Sequence, residues 1–164
     1  MFLSFNNYTF ILKHFIISFI LIIAQSYLPT IKVSNSLFLY SDLLLIYLTY
    51  LSITKRIYII IIIAFFVGIF QDLIIQNETV GLYSLLKVLA VYSISYLNKV
   101  KTLWNMTFKY LYLLIVYFLH YFIYHFIFVE QMTTILSFFI LFEAILNLFL
   151  FIVLDKVLSK KSSI

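Results

Sequence analysis

Apolar runs long enough to cross a lipid bilayer recur along almost the whole chain, separated only by short polar breaks. A membrane-spanning helix needs about 20 mainly apolar residues, whereas the strands of a membrane barrel alternate over about ten. These runs are too long and too continuous for barrel strands. They predict an all-α integral membrane protein, a single transmembrane domain over residues 1–164. The runs predict a compact bundle of about six helices, at 10–28, 37–53, 57–75, 80–97, 108–129 and 134–154.

The composition excludes the main alternatives. Hydrophobic residues make up 65% of the 164 residues and charged residues only 10%, whereas a soluble domain is about 25% charged. Lipid must therefore solvate most of the surface. The absence of cysteine excludes disulfides and Cys-based metal sites. With two glycines in the chain, a glycine-rich phosphate loop is excluded as well.

The basic residues outside the runs indicate an orientation. In a six-helix chain with its N-terminus inside, only Lys32 falls outside, while nine basic residues fall on the cytoplasmic side: Lys13, Lys55, Arg56, Lys99, Lys101, Lys109, Lys156, Lys160 and Lys161. Cytoplasmic segments of membrane proteins collect Lys and Arg in this way. Both termini are thus predicted to be cytoplasmic. The net charge of +5 indicates contact with anionic lipid rather than with nucleic acid.

The first run also resembles a signal peptide, with Lys13 before the apolar stretch and the small residues Ala24 and Ser26 at its end. Cleavage after Ser26 would leave five helices with the same orientation. The long uncharged lead-in over residues 2–10 favours a retained helix.

Ionisable and amide side chains inside the runs are the candidate functional residues, because such groups in hydrocarbon must be paired or face the bundle interior. They are Asp42, Asp72, Lys87, His120, His125, Glu143 and Asn147. A rise of about 1.5 Å per residue places Lys87, His120 and Glu143 at similar depths near the midplane. We therefore predict a buried Lys87–Glu143 ion pair, with Asn147 or His120 supplying further hydrogen bonds.

Simpler interpretations compete with these. Asp42 and Asp72 are equally compatible with interfacial positions at helix ends, and His120 with a neutral packing histidine. His125 lies about 140° around the helix from His120, so the two cannot form one metal-binding face. No catalytic, metal or cofactor site is predicted, and the chain is not expected to be an enzyme. Ala64, Gly68 and Asp72 repeat every four residues, and Ala64–Gly68 form a candidate helix-packing stripe.

Several short motifs occur together in an order typical of one family. They are YSDLLL (40–45), the basic pair Lys55-Arg56, VGIFQDLI (67–74), VGLYSL (80–85) and EAILN (143–147). Together they resemble the PDLLL, GxxxDL, LGLxAL and last-helix segments of the bacterial rod shape-determining protein MreD family. Ser41 replaces the usual Pro, Gln76-Asn77-Glu78 replaces a Gly/Ser-rich turn, and Lys87 stands where many members are apolar.

The resemblance implies a non-enzymatic inner-membrane component of the cell-elongation machinery that regulates cell shape and lateral wall synthesis. It implies a single-pass MreC-like protein, the actin-like MreB and the elongation wall synthase as partners. It also implies a fold similar to the substrate-binding subunits of energy-coupling-factor transporters, so a vitamin-binding subunit of such a transporter is the alternative function. The first helix has no two small residues four apart over residues 15–24, a feature that favours the cell-shape function.

Overall fold

The computed structural model contains the six helices that the apolar runs predict, and it describes residues 5–27, 31–32, 38–39, 41–75, 80–99, 105–128 and 134–161. The helices are α1 (Phe5–Tyr27), α2 (Leu43–Thr54), α3 (Ile57–Ile75), α4 (Leu82–Lys99), α5 (Met106–Phe128) and α6 (Thr134–Lys161). A two-residue antiparallel pair, β1 (Ile31–Lys32) and β2 (Phe38–Leu39), precedes α2. The prediction of an all-α membrane bundle is confirmed.

Four of these helices are long and apolar enough to cross a membrane, namely those containing Thr9–Tyr27, Ile57–Ile74, Met106–Ile127 and Leu136–Val157. α2 has only 12 residues, which corresponds to about 18 Å against a hydrocarbon core of about 30 Å. α4 has 18 residues and includes Lys87. The described part of the chain therefore combines four spanning helices with two that are shorter or more polar.

α2 lies at the centre of the bundle. All of its side chains are buried or partly buried except Thr54. Leu45 and Ile46 belong to one apolar core, shared with α4, α5 and α6. Leu44 and Leu48 belong to a second core, shared mainly with α1 and α3. A helix that is apolar on all sides has to be covered by protein or by lipid, and α2 is covered by the other helices.

The other five helices expose large apolar side chains outwards, for example Ile16, Phe66, Leu89, Phe126 and Phe142, which are between 49% and 63% exposed. In water, a continuous apolar surface of this kind would drive aggregation. In a bilayer, it is the surface that acyl chains cover.

The start of α2 differs from the predicted range. The second helix was expected from residue 37, but Phe38 and Leu39 are in β2 and the helix begins at Leu43. Hydropathy alone cannot distinguish an apolar strand from the first turn of an apolar helix. The helix start is set by Asp42, whose side chain accepts a hydrogen bond from the Leu45 N–H at 2.9 Å. α6 continues past the predicted end, to Lys161.

Candidate functional site: a buried polar network

An ion pair joins α2 and α4 inside the bundle. Lys87 Nζ donates to Asp42 Oδ2, and both side chains are 0% exposed. The Lys87 ammonium also lies 5.5 Å from the centre of the Tyr83 ring, a favourable cation–π distance. Asp42 uses one oxygen for this pair and the other to cap α2. One carboxylate therefore fixes both the start of α2 and its position beside α4.

The predicted Lys87–Glu143 pair is wrong, because Lys87 binds Asp42 and Glu143 binds a different residue. Glu143 Oε2 lies 3.1 Å from His125 Nε2, and both residues are buried. The estimated depths placed Lys87 and Glu143 at one level near the midplane and so favoured the pairing that the structure does not show. Lys87 reaches Asp42 rather than Glu143 because α2 packs beside α4 and Asp42 lies at the N-terminus of α2.

Asn147 connects the two pairs. Its Oδ1 accepts a hydrogen bond from the Asp42 N–H at 2.9 Å, and its Nδ2 donates to the Glu143 carbonyl oxygen at 2.9 Å. Asn147 was expected to supply hydrogen bonds to a Lys87–Glu143 pair, but both of its partners are main-chain groups. The amide holds the N-terminus of α2 against the middle of α6, where the last motif of the sequence lies.

Asp72 caps α4 from the neighbouring helix. Its carboxylate accepts hydrogen bonds from the Gly81 N–H at 2.8 Å and the Tyr83 N–H at 3.0 Å. Asp72 and Asp42 are both fully buried, each near the end of a helix, and their depth in the membrane stays a prediction. A helix N-terminus has unsatisfied N–H donors and a partial positive charge, which a carboxylate neutralises. Asp72 therefore anchors the α3–α4 turn.

The Ala64–Gly68 stripe packs inside the bundle. A Cβ at Gly68 would lie 2.4 Å from the Ser84 Cα, so only glycine permits this approach of α3 to α4. The hydroxyl of Ser84 donates to the Phe65 carbonyl oxygen at 2.9 Å. Ala64 is also fully buried. The stripe thus forms the α3–α4 contact rather than an external surface.

His120 is buried, and its Nδ1 has no hydrogen-bond partner. The packing position expected for His120 is therefore present, but its hydrogen bonding is incomplete. Two other buried atoms near the network, the Tyr121 hydroxyl and Glu143 Oε1, also have no hydrogen-bond partner. In the described residues, no group of three or more His, Cys, Asp or Glu side chains is placed to hold a metal ion.

Three further polar contacts were not predicted from the sequence. The Tyr117 hydroxyl donates to Thr49 Oγ1 at 2.9 Å, and Thr49 in turn donates to the Leu45 carbonyl oxygen at 2.8 Å. His14 Nδ1 lies 2.5 Å from the Tyr47 hydroxyl, joining α1 to α2. Thr49 lies seven residues after Asp42, two helical turns further along the same face of α2. That spacing could have indicated that Thr49, like Asp42, is buried.

The basic helix ends lie together at the opposite end of the bundle from the Asp42–Lys87 pair. Lys55 Nζ lies 5.7 Å from the ring of Phe10, and Lys109 Nζ lies 2.9 Å from Asp155 Oδ2. α2 and α4 run in parallel, since Asp42 and Lys87 are both near the N-termini of their helices. This arrangement agrees with the predicted grouping of basic residues. The side of the membrane that they face stays a prediction.

Four of the residues that hold the helices together thus lie in the motifs that resemble one family. Asp42 and Asn147 fix α2, while Gly68 and Asp72 fix the α3–α4 turn. The family model described as rod shape-determining protein MreD matches residues 5–160. No curated protein and no solved structure matches the chain. Since the family match covers nearly its whole length, the chain belongs to the MreD family of rod shape-determining membrane proteins.

Proposed function

We propose that this protein is a non-enzymatic component of the bacterial cell-elongation machinery in the cytoplasmic membrane, where it regulates cell shape and lateral wall synthesis. The observation that carries the proposal is the family match over residues 5–160. The chemistry of the described residues supports it, because their buried polar groups cap helices and join them. The network is suited to holding one bundle geometry rather than to transforming a substrate.

The partners that we propose are a single-pass MreC-like protein, the actin-like MreB and the elongation wall synthase. Nearly all described residues belong to helices or the short turns between them. Recognition of an MreC-like partner would therefore take place within the bilayer or at its two faces, where helix packing and interhelical hydrogen bonds act. MreB would meet the basic end of the bundle, which we propose to be cytoplasmic.

Depletion of the protein in the rod-shaped cell that encodes it tests this function. We expect the cells to become round and a fluorescent D-amino acid to lose its lateral labelling pattern. Re-expression of the wild-type protein should restore both. Rods that persist on depletion, together with impaired vitamin uptake, would contradict the proposal and favour a transporter subunit.

The orientation has its own test. The chain has no native cysteine, so a single cysteine can be introduced at Lys55 or at Asn77, the latter lying outside the described residues. An impermeant maleimide added to intact cells should label the cysteine at position 77 and spare the one at position 55. Labelling of both from the same side would refute the six-helix topology.

A further inference from the structure

The lipid-facing side of α4 is a ridge between two grooves. Its exposed residues include Leu85, Leu89 and Tyr92, which are 57%, 49% and 65% exposed. On one side lies a groove of about 520 Å³ against α3, and on the other a groove of about 220 Å³ against α5. Transmembrane helices associate by fitting the ridge of one helix into the groove between side chains of another. This face therefore has a shape that can receive a helix.

Each groove has a buried polar residue among its lining residues, Ser84 in the α3–α4 groove and His120 in the α4–α5 groove. The Ser84 hydroxyl is hydrogen-bonded to the Phe65 carbonyl oxygen, whereas His120 Nδ1 has no partner. The floor of the α4–α5 groove includes the buried side chains of Ala90, Val116 and His120, and its rim includes the exposed Leu119 and Ile123. Ala90 is small, so the floor lies deep between the two helices. The groove is otherwise mostly apolar, as expected of a surface within hydrocarbon.

His120 distinguishes between the possible occupants of this groove. Its Nδ1 has no hydrogen-bond partner, and the residue is only 4% exposed. The other ring nitrogen is hydrogen-bonded to the Leu86 backbone, so Nδ1 is an acceptor that a donor in the groove would satisfy. An acyl chain fills volume but neither donates nor accepts a hydrogen bond. A hydroxyl or amide side chain can donate a hydrogen bond to this nitrogen.

We propose that the α4–α5 groove receives one membrane-spanning helix of the MreC-like partner, with a hydroxyl or amide side chain of that helix hydrogen-bonded to His120. This inference rests on the proposed function, and it adds the location and the chemistry of the contact.

Site-specific photocrosslinking in native membranes tests the proposal. Benzoyl-phenylalanine replaces Leu119 on the rim of the groove, and as a matched control it replaces Phe149, a 63% exposed residue on α6. The partner is co-expressed, and adducts are mapped by mass spectrometry. We expect the Leu119 probe to join the membrane-spanning segment of the partner within about one helical turn of a Ser, Thr, Asn or Gln. The Phe149 probe should not.

Variants of the floor separate specific binding from simple proximity. His120→Phe keeps an aromatic ring but removes the hydrogen bond, and Ala90→Leu fills the groove. Each should lower the crosslinking yield at Leu119 about tenfold, equivalent to about 1.4 kcal/mol of binding free energy. His120→Gln, which retains donor and acceptor atoms, should restore part of the yield. Variants are compared at equal amounts of monodisperse protein, so that misfolding is not scored as lost binding.

The other outcomes overturn the inference in distinguishable ways. Adducts only to lipid, or to a second copy of this chain, would show that a different occupant fills the groove. A partner that co-purifies but crosslinks from Phe149, or at unchanged yield in His120→Phe, would refute the site and leave the proposed function intact. A wild-type protein that does not co-purify with the partner would refute the proposed partnership itself.

Discussion

Removing one charge of the buried Asp42–Lys87 pair should destabilise the bundle far more than removing both. Lys87→Met retains most of the side-chain volume and leaves the Asp42 carboxylate without its cation. Asp42→Asn retains an oxygen that can cap α2 and leaves the ammonium without its anion. Both side chains are 0% exposed, and breaking a pair this deeply buried costs about 3–5 kcal/mol.

The double variant strands no charge, so its loss should be only about 1–2 kcal/mol, close to that of a lost neutral hydrogen bond. If each single variant loses about 4 kcal/mol, the two losses sum to about 8 kcal/mol. The coupling energy is then about 6 kcal/mol in favour of the double variant, well above the uncertainty of a double-mutant cycle. The assay is equilibrium unfolding in mixed micelles of a mild detergent and dodecyl sulfate.

The Lys109–Asp155 pair at the basic end is the matched control. Its ammonium and carboxylate are also in direct contact, at 2.9 Å, but its side chains are 20% and 26% exposed. The cycle of Lys109→Met and Asp155→Asn should show a coupling of no more than about 1 kcal/mol, because water and headgroups screen an exposed pair. Additive losses at Asp42 and Lys87, or a coupling no larger than that of this control, would refute the reasoning.

Substitutions at three further positions test the α3–α4 contact by the same unfolding assay. Gly68→Ala should cost about 1–3 kcal/mol, because the added Cβ would lie 2.4 Å from the Ser84 backbone; unchanged stability would show that the helices separate freely. Asp72→Ala should cost at least about 1–2 kcal/mol, since it removes the cap of α4, and Asp72→Asn should recover part of the loss. Gly81→Ala should cost about 1 kcal/mol, because the residue has φ +103° with open space around it; a gain in stability would mean that the turn adopts another conformation.

The sequence by itself determined the solvent of this protein, the number of its helices and its family. Runs of apolar residues with few charges can be stable only in lipid, and their lengths define helices because hydrocarbon requires the backbone to satisfy its own hydrogen bonds. The motifs around Asp42, Asp72 and Asn147 kept an order and spacing that identified the family. These properties are written along the chain, so they can be inferred without knowing which helices are neighbours.

Only the tertiary structure decided which polar groups meet. Depth along a helix can be estimated from residue number, and it placed Lys87 and Glu143 at one level. Partner choice also depends on the position of each helix around the bundle and on its rotation, for which nearly uniform apolar runs give little information. The structure places the N-terminus of α2 beside α4, so Lys87 binds Asp42. The start of α2 was missed for a related reason: a buried side-chain cap sets it, whereas hydropathy is the same on both sides of that boundary.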